Sequence, residues 1–122
     1  MKGKLMLGAL LVALPAAAQA MDVGTFLAKA DGLEKSGMMA LFSSDYGLLK
    51  RETEADVQAL VAEARAAKAA GRPHAFCPMP GKMGLASNEI IAALRTVPVA
   101  QRPHTDVKEP LRALLSRKYP CG

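Results

Sequence analysis

Apolar positions recur at helical spacing in four stretches of this chain, and glycine, proline and capping residues punctuate the gaps between them. The first stretch follows Asp22, where Val23, Phe26, Leu27, Ala30 and Leu33 share one face until Gly37 offers a stop. Asp22 has the side chain of an N-cap, because its carboxylate can accept the orphan amides of the first turn. Next come Met38, Met39, Leu41 and Phe42, too apolar for a free linker, which predicts a buried turn followed by a helix start. Ser44 or Asp45 then caps the longest helix, with Leu49, Val57, Leu60, Val61 and Ala64 on its apolar stripe. Glu63 and Arg65 to Lys68 fall on the wet side, and Gly71-Arg72-Pro73 ends the element. Glu52, Glu54 and Asp56 lie in its N-terminal half, the end at which the macrodipole favours carboxylates, and are assigned a structural role.

The prolines and glycines of HAFCPMPGKMG forbid regular structure for any distance, so that loop must be held from outside, with Phe76 as its apolar anchor. Ser87 is the expected cap of a third helix carrying Ile90, Ile91, Leu94 and Val97, ended by Pro98. A fourth helix is expected from Thr105 or Asp106, where Asp106 and Glu109 have the spacing of a capping box. Its buried side would hold Val107, Leu111, Leu114, Leu115 and Tyr119, with Pro110 as a mild kink near its start. No segment alternates with a period of two and no repeat is visible. The expected fold is a small all-α domain of about four helices, the last two forming an antiparallel hairpin.

The first 20 residues change the picture of the compartment. Lys2 and Lys4 precede an apolar run from Leu5 to Leu14, then Pro15 and small residues ending Ala18-Gln19-Ala20, the layout of a secretory signal peptide. The run is about half of the roughly 20 residues that a membrane-spanning helix needs. The domain reading is therefore residues 1–20 as signal peptide and 21–122 as one helical domain, periplasmic or secreted after cleavage near Ala20, with no stable membrane anchor. In an oxidising compartment the only two cysteines, Cys77 and Cys121, are most simply a disulfide. Closing a loop of about 45 residues removes about 4 kcal/mol of unfolded-state entropy. A bridge there would clamp the two ends of the C-terminal hairpin together.

Charge is uneven. From Met21 to Gly71 there are 6 basic and 8 acidic residues, and from Arg72 onward 8 basic and 3 acidic, so the second half is a basic surface. Export disfavours nucleic acid as its partner, and with no Trp, three Phe and two Tyr there is no aromatic track for single strands. His74, Cys77, His104 and Cys121 have the composition of a zinc set but not its paired spacing, so no metal or other cofactor is expected. Neither Ser43 and Ser44 nor Gly81 to Gly84 match a nucleophile elbow or a phosphate loop, and no catalytic residue is assigned.

The C-terminal half, from about residue 75 to 121, resembles the Rap1a/Tai family of immunity proteins. The matching features are Cys77-Pro78, the Pro80-Gly81 turn, the polar cap leading into NEIIAAL, Pro98 with Arg102 behind it, Val107, Leu111 and the closing Tyr119-Pro120-Cys121. The first half departs from the family pattern, because no cysteine precedes Cys77. The resemblance implies an exported, non-catalytic helical protein that neutralises a peptidoglycan amidase effector delivered by type VI secretion.

Two functions of different class follow. One is a protein inhibitor that places a preorganised loop on an enzyme, with the linker from Pro98 to Thr105 as the contact. Arg102 is its expected hot spot by residue type, joined by Gln101, His104 and Arg95. The other is a housekeeping envelope protein whose basic half associates with anionic envelope material.

Overall fold

A computed structural model describes residues 20–79 and 84–121. The signal-peptide stretch, the Pro80-Gly81 turn and Gly122 lie outside the described residues. Four α-helices, α1 (Val23–Ser36), α2 (Ser44–Ala69), α3 (Ser87–Arg95) and α4 (Lys108–Lys118), are joined by two 3-10 turns, Gly37–Phe42 and Val99–His104. The described residues contain no strand, only one isolated bridge between Asp22 and Asp106. The fold is all-α.

Helix boundaries follow local chemistry. The Asp22 carboxylate accepts the Thr25 amide at 2.8 Å and the Thr25 hydroxyl at 2.7 Å, which fixes the start of α1 and holds that carboxyl below its ordinary range. Gly37 ends α1 at φ +56°, a conformation that a Cβ disfavours. Ser43, one residue before the two expected caps, accepts the Asp45 amide and opens α2; Gly71 at φ +66° follows its end. Two expected caps need correction. Ser87 is the first residue of α3 and Ala86 is its N-cap, with no side-chain hydrogen bond. Asp106 does accept the Lys108 amide at 2.9 Å, but Glu109 turns outward to Arg112 instead of closing a capping box.

The core gathers one face of each helix: Val23, Phe26 and Leu27 from α1, Leu49, Leu60 and Ala64 from α2, Ile90, Ala93 and Leu94 from α3, and Leu111, Leu114 and Leu115 from α4. Val107 and Phe76 complete it from the loops. Leu94 and Leu111 are fully buried, and α3 packs on α4 as the expected hairpin. Val57, Val61 and Tyr119 are only partly buried.

Cys77 and Cys121 form the disulfide, their Cα atoms 5.0 Å apart. The loop before α3 is held at several further points. Phe76 is 1% exposed, the Cys77 amide donates to the Tyr119 carbonyl at 3.0 Å, the Gly84 amide donates to the Tyr119 hydroxyl, and Lys118 donates to the Gly84 carbonyl and pairs with Glu89. The irregular loop is thus docked on the end of α4 by apolar, polar and covalent contacts together.

Candidate functional site

The linker predicted as the contact is a tightly self-bonded turn. Arg102 is half-buried, with Nε donating to the Val97 carbonyl at 2.9 Å and Nη2 to the Arg95 carbonyl at 3.1 Å. The Arg95 carbonyl is one that the end of α3 leaves without an intrahelical partner and the Val97 carbonyl lies just past that end, so the guanidinium acts as a C-terminal cap. Arg95 reaches across to α1, 3.0 Å from Asp31 and 3.8 Å from Glu34. The Gln101 backbone is tied to Pro98 and to the Thr105 hydroxyl while its side chain is exposed. His104 is exposed beside it. The four residues therefore share one region, in which Gln101 and His104 face solvent and Arg102 shapes the turn from within.

Charge asymmetry is likewise used inside the fold. Arg95 pairs with carboxylates of α1, and Arg112 pairs with Glu63 of α2 at 3.0 Å as well as with its own neighbour Glu109. The Arg95–Asp31 and Arg112–Glu63 pairs join the basic second half to the acidic first half, which leaves less of the second half's positive charge to face a partner.

The first 3-10 turn reverses its expectation. Met38, Met39, Leu41 and Phe42 are 86%, 68%, 62% and 84% exposed, so the turn is an apolar knuckle and not a buried connection. The geometry explains this. A 3-10 turn stacks residues i and i+3, so Met38 lies over Leu41 and Met39 over Phe42 in two outward columns, while small Ala40 is the half-buried member. The turn offers the body a methyl group and offers solvent four large side chains.

Beside the knuckle, a cleft of about 440 Å³ opens between α1, α2 and α3. Its apolar wall includes Phe26, Leu33, Leu49, Ile90 and Ile91, and Lys50, Thr53 and Glu54 supply polar groups on one side. Leu33 and Tyr46, four residues before and four after the turn, line this cleft, so chain connectivity places knuckle and cleft next to each other. A second cavity, of about 460 Å³, lies at the other end of α2 among Leu60, Ala67, Arg72, His74, Phe76 and Arg112.

Comparison with protein-family models, with curated proteins and with solved structures finds no match.

Two groupings that the sequence raised without assigning a site are brought together by the fold. His74 Nε2 lies 3.3 Å from the Cys77 sulfur, and His74, Cys77 and Cys121 come within 4.8 Å of one another although their sequence spacing is not that of a metal set. Both sulfurs are in the disulfide, which occupies the thiolates that a metal would need. The other grouping is on α2, where Asp56 is 7% exposed and its Oδ2 has no hydrogen-bond partner among the described residues. Burial, with the Glu52 carboxyl hydrogen-bonded beside it, pushes the Asp56 carboxyl up to about 7. Glu52 and Asp56 line neither cavity. The signal for Asp56 was present: it sits seven residues after Leu49 and four before Leu60, on the helix's own apolar stripe.

Proposed function

We propose that this is an exported, non-catalytic protein-binding domain that acts by covering a cell-wall amidase, the class of partner implied by the resemblance of its C-terminal half to amidase immunity proteins. The observation that carries a binding role is the apolar knuckle on a stapled body. Four large apolar side chains in one six-residue turn are far more than a scatter of single exposed residues, and concentrations of this kind mark interaction sites.

Magnitudes say how the knuckle would be used. Burying each side chain gains about 1.5–3 kcal/mol, so four gain roughly 6–12 kcal/mol. Association costs on the order of 4–15 kcal/mol, so the knuckle alone gives weak binding. Adding the neighbouring cleft as a receptor for a partner's apolar side chain brings the interface into the range of specific complexes, and the rigid body limits the ordering cost. This reading moves the centre of the contact from the Pro98–Thr105 linker, which packs at the start of α1, to the knuckle that follows its end.

The test is inhibition of peptidoglycan cleavage. A panel of cell-wall amidases is assayed with and without the purified exported protein, alongside a variant carrying Met38→Ser and Phe42→Ser. Inhibition by wild type that drops at least tenfold in the variant, with unchanged helical circular dichroism, supports the reading. Absence of binding to any amidase, together with salt-sensitive retention on isolated cell wall, favours the envelope-associated alternative.

A further inference from the structure

Where α1 begins, the chain is anchored more firmly than a freely running strand requires. The Val107 amide donates to the Met21 carbonyl at 3.0 Å, Asp22 bridges to Asp106, and the Val23 amide donates to the Thr105 carbonyl at 2.8 Å. Met21 packs partly buried against the core, whereas Ala20 is exposed. The Met21 nitrogen lies 3.3 Å from Glu52 Oε1. Glu52 is in turn hydrogen-bonded to Asp56, whose Oδ2 is buried and without a hydrogen-bond partner among the described residues. Asp106, from the turn before α4, adds a third carboxylate to the surroundings of Asp56, and Lys108 at the start of α4 acts on it in the opposite sense. Three carboxylates gather there, and a backbone nitrogen with a single proton to donate sits at their edge.

That nitrogen is the one that processing after Ala18-Gln19-Ala20 would free. We propose that cleavage between Ala20 and Met21 creates an α-ammonium that ion-pairs with Glu52 beside the buried Asp56, so that removal of the signal peptide stabilises the fold. The inference rests on the export reading. In the covalent step a leader peptidase uses one water to hydrolyse the Ala20–Met21 amide. The Ala20 carbonyl carbon gains the hydroxyl oxygen and leaves as a carboxylate, and the Met21 nitrogen ends with three protons. Those protons supply two more donors than the peptide amide had, in a site where an acceptor atom is waiting. The new charge costs no long side chain its freedom, because Met21 is already held by its backbone.

The site would thus favour the processed chain over the unprocessed one without any change of fold. It also accounts for a buried aspartate on an otherwise apolar helix stripe, a position where a leucine would serve an unprocessed protein better.

The experiment uses protein exported and processed in cells. N-terminal sequencing first identifies the terminus, and the proton affinity of the unmodified α-amine is then read from the pH dependence of its competitive labelling with trace acetic anhydride, followed by mass spectrometry of the N-terminal peptide. The expected result is Met21 as the first residue, with an α-amine titrating at least one unit above the ordinary value of about 7.7–8.0, a tenfold or greater gain in proton affinity. Glu52→Gln should return it toward the ordinary value. Acetylating the α-amine should lower the urea midpoint of wild type more than that of Glu52→Gln. A terminus other than Met21 overturns both the inference and the cleavage assignment beneath it. Met21 with an ordinary α-amine, equally affected by acetylation in both proteins, overturns the pairing alone and leaves export standing.

Discussion

Replacing Cys77 and Cys121 together by serine separates what the disulfide does from what the packing around it does. The cysteines are 44 residues apart, so in the chain-entropy model the bridge withholds about 4 kcal/mol of loop-closure entropy from the unfolded state. Little folded-state packing goes with it, since Cys121 is exposed and Cys77 only half-buried. A domain of this size has roughly 5–15 kcal/mol of stability in total, and each kcal/mol corresponds to about 4–8 °C in Tm. The double variant is therefore expected to remain helical while losing about 4 kcal/mol and on the order of 15–30 °C. Phe76→Ala is the contrasting perturbation. It empties a fully buried site one residue from the bridge, at an expected cost of about 3–5 kcal/mol, but leaves the unfolded chain as constrained as before. Urea unfolding followed by circular dichroism distinguishes the two: the serine variant should show a larger m-value because its unfolded state expands, and Phe76→Ala should not. A loss below about 1 kcal/mol with an unchanged m-value would refute the reasoning. It would mean that Phe76, Tyr119 and Lys118 already hold the loop and that the unfolded chain gains nothing from release.

Asp56 gives a pH signature in protein whose α-amine is acetylated. Its carboxyl titrates near 3.8 when unfolded and about 7 when folded, so stability is fully present below pH 4 and declines as pH rises towards 7. Asp56→Asn should flatten that slope in urea melts and stabilise the acetylated protein at pH 8 by up to about 4 kcal/mol. Met38→Ser with Phe42→Ser should change stability by less than about 0.5 kcal/mol per site, because both side chains already face water, while reducing the proposed amidase inhibition. Arg102→Ala should cost about 1–3 kcal/mol in urea melts by leaving the Val97 and Arg95 carbonyls without their charged donors. An Arg102→Ala protein as stable as wild type would show that water replaces the guanidinium there.

Much of the architecture was legible from local pattern. Period-3.6 spacing placed all four helices, Asp22 and Gly37 bounded α1, and an even cysteine count, read together with an expected export signal, paired Cys77 with Cys121. These features depend on contacts within one element or on the compartment, and both are written in neighbouring residues. Tertiary structure decided what each surface meets. Met38, Met39, Leu41 and Phe42 face solvent because the 3-10 geometry turns Ala40 inward and no other described element covers the outer columns, and hydrophobicity by itself carries no direction. Arg102 became a cap for α3 because the Val99–His104 turn folds back along the helix end. Asp56 could be placed on the core stripe by counting from Leu49 and Leu60, but its partners could not. Glu52, Asp106 and the Met21 nitrogen come from α2, the turn before α4 and the stretch leading into α1, and only the packing of those three segments brings the carboxylates around Asp56 beside the Met21 nitrogen.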